Sequence, residues 1–166
     1  MHFQTAMKIV SAAGLVGAFA MIVGDVNLRA VPIRGGERCF RCDRIVANRF
    51  VAAEAIEGSV GYKFRTVRCM LTYLKDSSQR FDQILVADYQ TGKLVPVGKA
   101  SFVPVAIGEI SGEPRYGIGS TDYVAFHSRS AADRFASARG ATPVTWATVR
   151  SSEAKPVASL VYHEAQ

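Results

Sequence analysis

The chain has 166 residues, about half of them hydrophobic and a fifth charged, which excludes a disordered protein and leaves room for one domain with its own core plus an extension. A net charge of +6 would suit an anionic partner or surface, but the lysines and arginines are scattered, with no basic block and no interleaved aromatics, so nucleic-acid binding is not expected. Three cysteines is an odd number, so at least one thiol is left free or bound to a metal.

Residues 9–23 form an uncharged apolar run between Lys8 and Asp25. It is shorter than the roughly 20 residues that cross a bilayer and fits the apolar region of a secretory signal. Ala18-Phe19-Ala20 has the small-x-small form of a cleavage site, which would make Met21 the first mature residue. An uncleaved membrane anchor running through Gly24 is the alternative. The expected organisation is a signal peptide or anchor over 1–24, a linker over 25–38, a folded domain over 39–150 and a tail over 151–166. The expected location is periplasmic or otherwise extracytoplasmic, membrane-proximal if the anchor is kept.

Past Gly35-Gly36 the pattern changes. Residues 45–56 and 60–64, separated by the Glu57-Gly58 turn signal, read as two strands of a hairpin. From Thr66, Val67, Met70, Leu71 and Leu74 recur at helical spacing, so Met70 should face the core while Cys69 and Tyr73 look toward another element. Asp76-Ser77-Ser78 ends that helix. Strands are expected at 84–89 and 94–97, with a turn at 90–93 organised by Asp88, then at 101–107 and 122–126 on either side of a glycine-rich loop over 108–119. Ser130-Ala131-Ala132-Asp133 has the form of a helix start and Gly140 that of a helix stop. A strand is expected over 143–149, around the lone Trp146, and one more apolar edge over 157–162. Strand, strand, helix, strand thus occurs twice, which gives an α+β class with mostly antiparallel sheets.

The chemistry concentrates at Cys39-Phe40-Arg41-Cys42. A C-x-x-C pair can hold a soft metal ion, cycle between dithiol and disulfide, or simply close a loop. Arg38, Arg41 and Arg44 beside it should favour the thiolate. No paired carboxylates, nucleophile elbow, phosphate loop or H-E-x-x-H motif is present, so no enzymatic activity is expected.

Three further stretches carry a resemblance: Arg68-Cys69-Met70-Leu71-Thr72-Tyr73-Leu74-Lys75, then Val86-Ala87-Asp88-Tyr89-Gln90-Thr91-Gly92, then Tyr123-Val124-Ala125-Phe126 followed by Asp133-Arg134-Phe135. Together with the cysteine pair they resemble the NosL family, accessory proteins of nitrous oxide reductase maturation, over about 39–149. The resemblance implies two strand-strand-helix-strand units related in fold to organomercurial lyase, an exported and usually membrane-tethered protein, and delivery of copper(I) to copper-enzyme maturation machinery. It does not imply catalysis. The family pattern continues the cysteine pair with glycine and methionine, where this chain has Asp43 and Arg44. Arg115, after Pro114, stands where a second methionine is expected, and no lipoprotein cysteine precedes Cys39. Within that frame Cys69 becomes a possible third ligand beside Cys39 and Cys42, for copper(I) or alternatively zinc, with His127 or His163 as a conceivable fourth. A thiol-disulfide protein using Cys39 and Cys42, or a binding module without a metal site, are the competing readings.

Overall fold

The computed structural model describes residues 30–106, Glu109 and 121–153. The apolar N-terminal run, nearly all of the glycine-rich loop, His163 and the apolar stretch of the tail lie outside the described residues. Among those described, no helix is long and apolar enough to cross a membrane.

The first half opens with Ala53–Glu57 (β1) and Val60–Phe64 (β2), antiparallel from Ala53 opposite Phe64 to Glu57 opposite Val60. Gly58 takes φ +57 in the turn, the left-handed region that glycine enters without steric cost. The expected long strand over 45–56 is corrected: only its last residues pair. Upstream, the Asn48 side chain accepts from the Phe50 amide at 3.0 Å and turns the chain, so that Ile45 makes no more than a single bridge, to Arg38. Val67–Asp76 (α1) follows, with Val67, Met70 and Leu71 buried as their spacing requires. Thr66 caps its start, and the Ser77 amide closes its end on the Tyr73 carbonyl at 2.9 Å. Gln83–Ala87 (β3) returns antiparallel beside β1, and Leu94–Pro96 (β4) adds to it, giving a sheet in the order β2-β1-β3-β4.

After a short 3-10 turn over Val97–Lys99, the second half pairs Ser101–Ala106 (β5) with Thr121–Phe126 (β6) in a separate two-stranded sheet. Arg129–Ser137 (α2) packs on it through Ala131, Ala132 and Ala136. Its cap is Ser128, two residues before the expected serine, because the Asp88 carboxylate accepts the His127 amide at 3.0 Å and fixes the chain just ahead of it. The last expected strand, over 143–149, is also corrected. Val144 makes one bridge to Phe102, and the chain then enters Trp146–Glu153 (α3). Thr145 explains the change, since its hydroxyl accepts from the Thr148 amide at 3.4 Å and starts a helix where the apolar pattern alone suggested extension. The class is α+β with antiparallel sheets; the first unit has the full strand-strand-helix-strand order, and the second ends on a bridge and a helix.

The two halves share one core. Met70, Phe64, Ala53, Ala55 and Val86 from the first pack with Phe102, Tyr123, Ala125 and Val149 from the second. The bracing is reciprocal. Asp122 on β6 accepts the Arg68 amide in the first turn of α1 at 3.0 Å, while Asp88, just past β3, holds the approach to α2. Both carboxylates are buried.

Candidate metal centre

Cys39 and Cys42 lie in a tight loop closed at its base by the Arg38–Ile45 bridge. Inside it the Cys39 amide donates to the Arg44 carbonyl and the Asp43 amide to the Cys39 carbonyl, both at 2.8 Å. Closing so few residues forces one of them into the left-handed region, and Asp43 takes it with φ +56. Aspartate is among the few non-glycine residues that tolerate this conformation. Arg38 secures it by donating to the Asp43 carbonyl at 2.7 Å and pairing with its carboxylate at 3.1 Å.

The loop is docked on the first sheet. The Phe40 amide donates to the Lys63 carbonyl at 2.8 Å, and Lys63 forms an ion pair with Glu37 at the loop's base. The Phe40 ring meets Tyr62 edge-on at 4.7 Å and Tyr73 at 5.2 Å. Tyr73 is on α1, one turn beyond Cys69. The aromatic contact therefore draws the loop toward the helix face that carries the third cysteine.

The result is one cluster: the sulfurs of Cys39, Cys42 and Cys69 all lie within 4.8 Å of one another, and those of Cys42 and Cys69 are 3.9 Å apart. Sulfurs bound to one ion at about 2.3 Å would lie about 3.8 to 4.0 Å apart, whereas a disulfide needs about 2.05 Å. All three thiols are free. The spacing fits a shared ion, and the three cysteines could hold one. Among the described residues no histidine or carboxylate joins them. His127 lies just before α2, held there by its backbone amide on Asp88, and is not part of the cluster. Met70 is fully buried in the core.

Electrostatically the cluster is primed for a thiolate. The Cys39 pKa is lowered to about 5, chiefly because the Cys69 thiol donates to its sulfur; burial opposes this, and the backbone amides of Arg65, Cys42 and Arg41 reinforce it. Cys69 is pushed up because it keeps the shared proton, in a buried position beside two other sulfurs. The expected source of the thiolate, the flanking arginine charges, is corrected. Arg38 is turned to Asp43 and Arg41 to Asp76, and amides and a neighbouring thiol do the stabilising.

Behind the sulfurs stands a polar support that the sequence did not disclose. Thr66 is buried and accepts the Cys69 amide at 3.3 Å, and its hydroxyl also faces the Cys69 sulfur and the Asp122 carboxylate. Burial raises the Asp122 pKa, opposed by the Tyr123 amide, Thr66 and Arg68. A second unforeseen group is Glu54 on β1, fully buried, its carboxylate oxygens without a well-formed hydrogen bond among the described residues although the Val31 backbone amide faces them. It lies opposite Lys63, and its pKa is raised to about 7, mainly by burial. A Cβ at Gly61 would strike its carboxylate. A lone acid inside the apolar stretch 51–56 was the available signal for Glu54.

Comparison with known proteins finds no matching family model, no matching curated protein and no matching solved structure. The likeness to the NosL family accordingly rests on the sequence motifs alone.

Proposed function

We propose that the protein is an exported carrier of copper(I) that serves the assembly of a copper enzyme, with Cys39, Cys42 and Cys69 as its ligands. The observation that carries this reading is the convergence of three sulfurs within 4.8 Å of one another, from a loop and a helix 27 residues apart in sequence, with the Cys42–Cys69 pair at a spacing that suits one shared ion. Thiolates select soft ions, and three of them with no fourth partner among the described residues suit trigonal copper(I) better than zinc, which takes four ligands in structural sites. The order of the family-like motifs supports the maturation role. The apolar run before the domain supports export.

The residues divide the work. Cys39 supplies a preformed thiolate; Cys69 gives up the shared proton when the ion arrives, and Cys42 completes the shell as a thiolate, the thiol protons passing to solvent. No electron transfer is involved, and an incomplete shell lets the ion pass on. Thiol-disulfide exchange is less well supported, because the sulfur that ionises most readily is 1% exposed and cannot attack an outside disulfide.

Copper(I) titration of the reduced protein against a competing chelator tests the proposal. Tight one-to-one binding, lost in Cys39→Ser and weakened in Cys42→Ser and Cys69→Ser, is expected. A reduced, folded protein that binds no copper(I) removes it.

A further inference from the structure

The second half of the fold carries a cavity that the cysteine cluster does not use. The Tyr89 amide donates to the Ala125 carbonyl at 2.8 Å, which lays the residue after Asp88 against β6. Its ring meets Phe126 at the end of β6 and Phe135 on α2, with centroids 5.6 and 5.2 Å away, and those two rings are themselves 5.1 Å apart. The three rings line a solvent-open cavity of about 560 Å³, with Gln90, Arg134 and Arg139 around it. That volume is in the range of small-molecule sites, which combine an apolar lining with a few polar groups.

The charged groups near the cavity are not equivalent. Arg139 lies over the Phe135 ring at 3.6 Å and pairs with Glu109 at 2.9 Å, so its charge is matched and it serves as a wall. Asp133 is turned to Arg129 at 2.9 Å. Asp88 is buried and accepts the His127 amide at 3.0 Å and the Thr91 hydroxyl at 2.7 Å. Every carboxylate in this neighbourhood thus has its own partner. Arg134 is exposed and has no carboxylate among the described residues, and the Tyr89 hydroxyl and the Gln90 side-chain amide have no hydrogen-bond partner there either. One unmatched guanidinium beside three rings fits a molecule with a single negative charge on a flat apolar body. The guanidinium matches a carboxylate with two parallel hydrogen bonds, and the rings accept another ring by edge-to-face contact.

We propose that this cavity binds a small aromatic monocarboxylate, its carboxylate on Arg134 and its ring against Tyr89, Phe126 and Phe135. None of these residues belongs to the cysteine cluster, so the inference stands or falls apart from the copper-carrier reading.

The test is a titration of the isotope-labelled full chain with phenylacetate, followed by amide chemical shifts. Saturable shifts at millimolar concentrations, confined to α2 and the Tyr89 turn, are expected. Phenylacetamide, of the same shape without the charge, and acetate, with the charge but no ring, should each bind at least about tenfold more weakly. Arg134→Gln should weaken phenylacetate binding by a similar factor, and Arg150→Gln on α3 should leave it unchanged. Both arginines are exposed, so neither variant should disturb the fold. No saturable binding, equal binding of the acid and the amide, or an affinity indifferent to Arg134→Gln overturns the inference. A short peptide ending in phenylalanine that binds tighter than phenylacetate also overturns it, by making a protein C-terminus the occupant.

Discussion

The starts of α1 and α2 are close to a controlled experiment within one chain. Each helix is capped by a hydroxyl, Thr66 or Ser128, that accepts the amide three residues on, at 3.3 and 3.4 Å. Each is steadied by a buried aspartate from the opposite half. At the third position the first helix has Cys69 and the second has Ala131; at the fourth, Met70 and Ala132, both fully buried. The cap and brace are therefore what the fold needs to seat a helix on a sheet. Chemistry was added to one copy only, by a cysteine at the third position and a two-cysteine loop held over it.

The largest expected effect breaks this asymmetry outright. Cys39→Ser should weaken copper(I) binding beyond the roughly hundredfold that changes outside the ligand shell cost, while Ala131→Cys in the second helix should create no site; competitive titration reads both. The next effect concerns the fourth position. Met70→Ala should destabilise the fold by about 2 to 5 kcal/mol through lost burial and a cavity, and the inverse change, Ala132→Met, by about 1 to 3 kcal/mol through overpacking. Chemical denaturation separates them.

A third difference lies in the first strands, where β1 has Glu54 and β5 has Phe102 at the equivalent second position. Glu54 holds its proton more tightly in the folded protein than in the unfolded chain. Its contribution is thus complete below the ordinary value of 4.5 and is lost as pH rises through about 7. The loss should not exceed about 4 kcal/mol, and Glu54→Gln should flatten that part of the pH–stability curve in urea titrations. The smallest effect is at the caps. Thr66→Ala and Ser128→Ala should each cost about 1 kcal/mol of stability, but only Thr66→Ala should also weaken copper(I) binding; equal binding in the two variants would reduce Thr66 to a cap.

The same comparison marks what could be read in the sequence. Local periodicity sufficed for α1, since Val67, Met70 and Leu71 are spaced to share one face, and that wheel turned Cys69 toward another element. The hairpin at Gly58 and the turn at Asp88 were equally local. The failures were local too: Asn48 and Thr145 carry side chains that redirect the backbone, yet each stands in a run whose apolar neighbours suggest strand. The meeting of Cys69 with Cys42 was of another kind. It depends on the Phe40 ring settling between Tyr62 and Tyr73, and no spacing rule contains that contact. The support from Asp122, more than fifty residues from Cys69, had no sequence signal at all.

The crossed placement of Asp88 and Asp122 has a consequence for how the domain comes apart. Each half keeps the fastening of the other's helix, so neither can melt and leave its neighbour standing. A cut in the loop between β5 and β6 that separates the fragments would release both, and unfolding should proceed as a single cooperative event. An ion seated among the three sulfurs would then slow amide exchange in α2 as well as in α1, although no ligand lies in the second half.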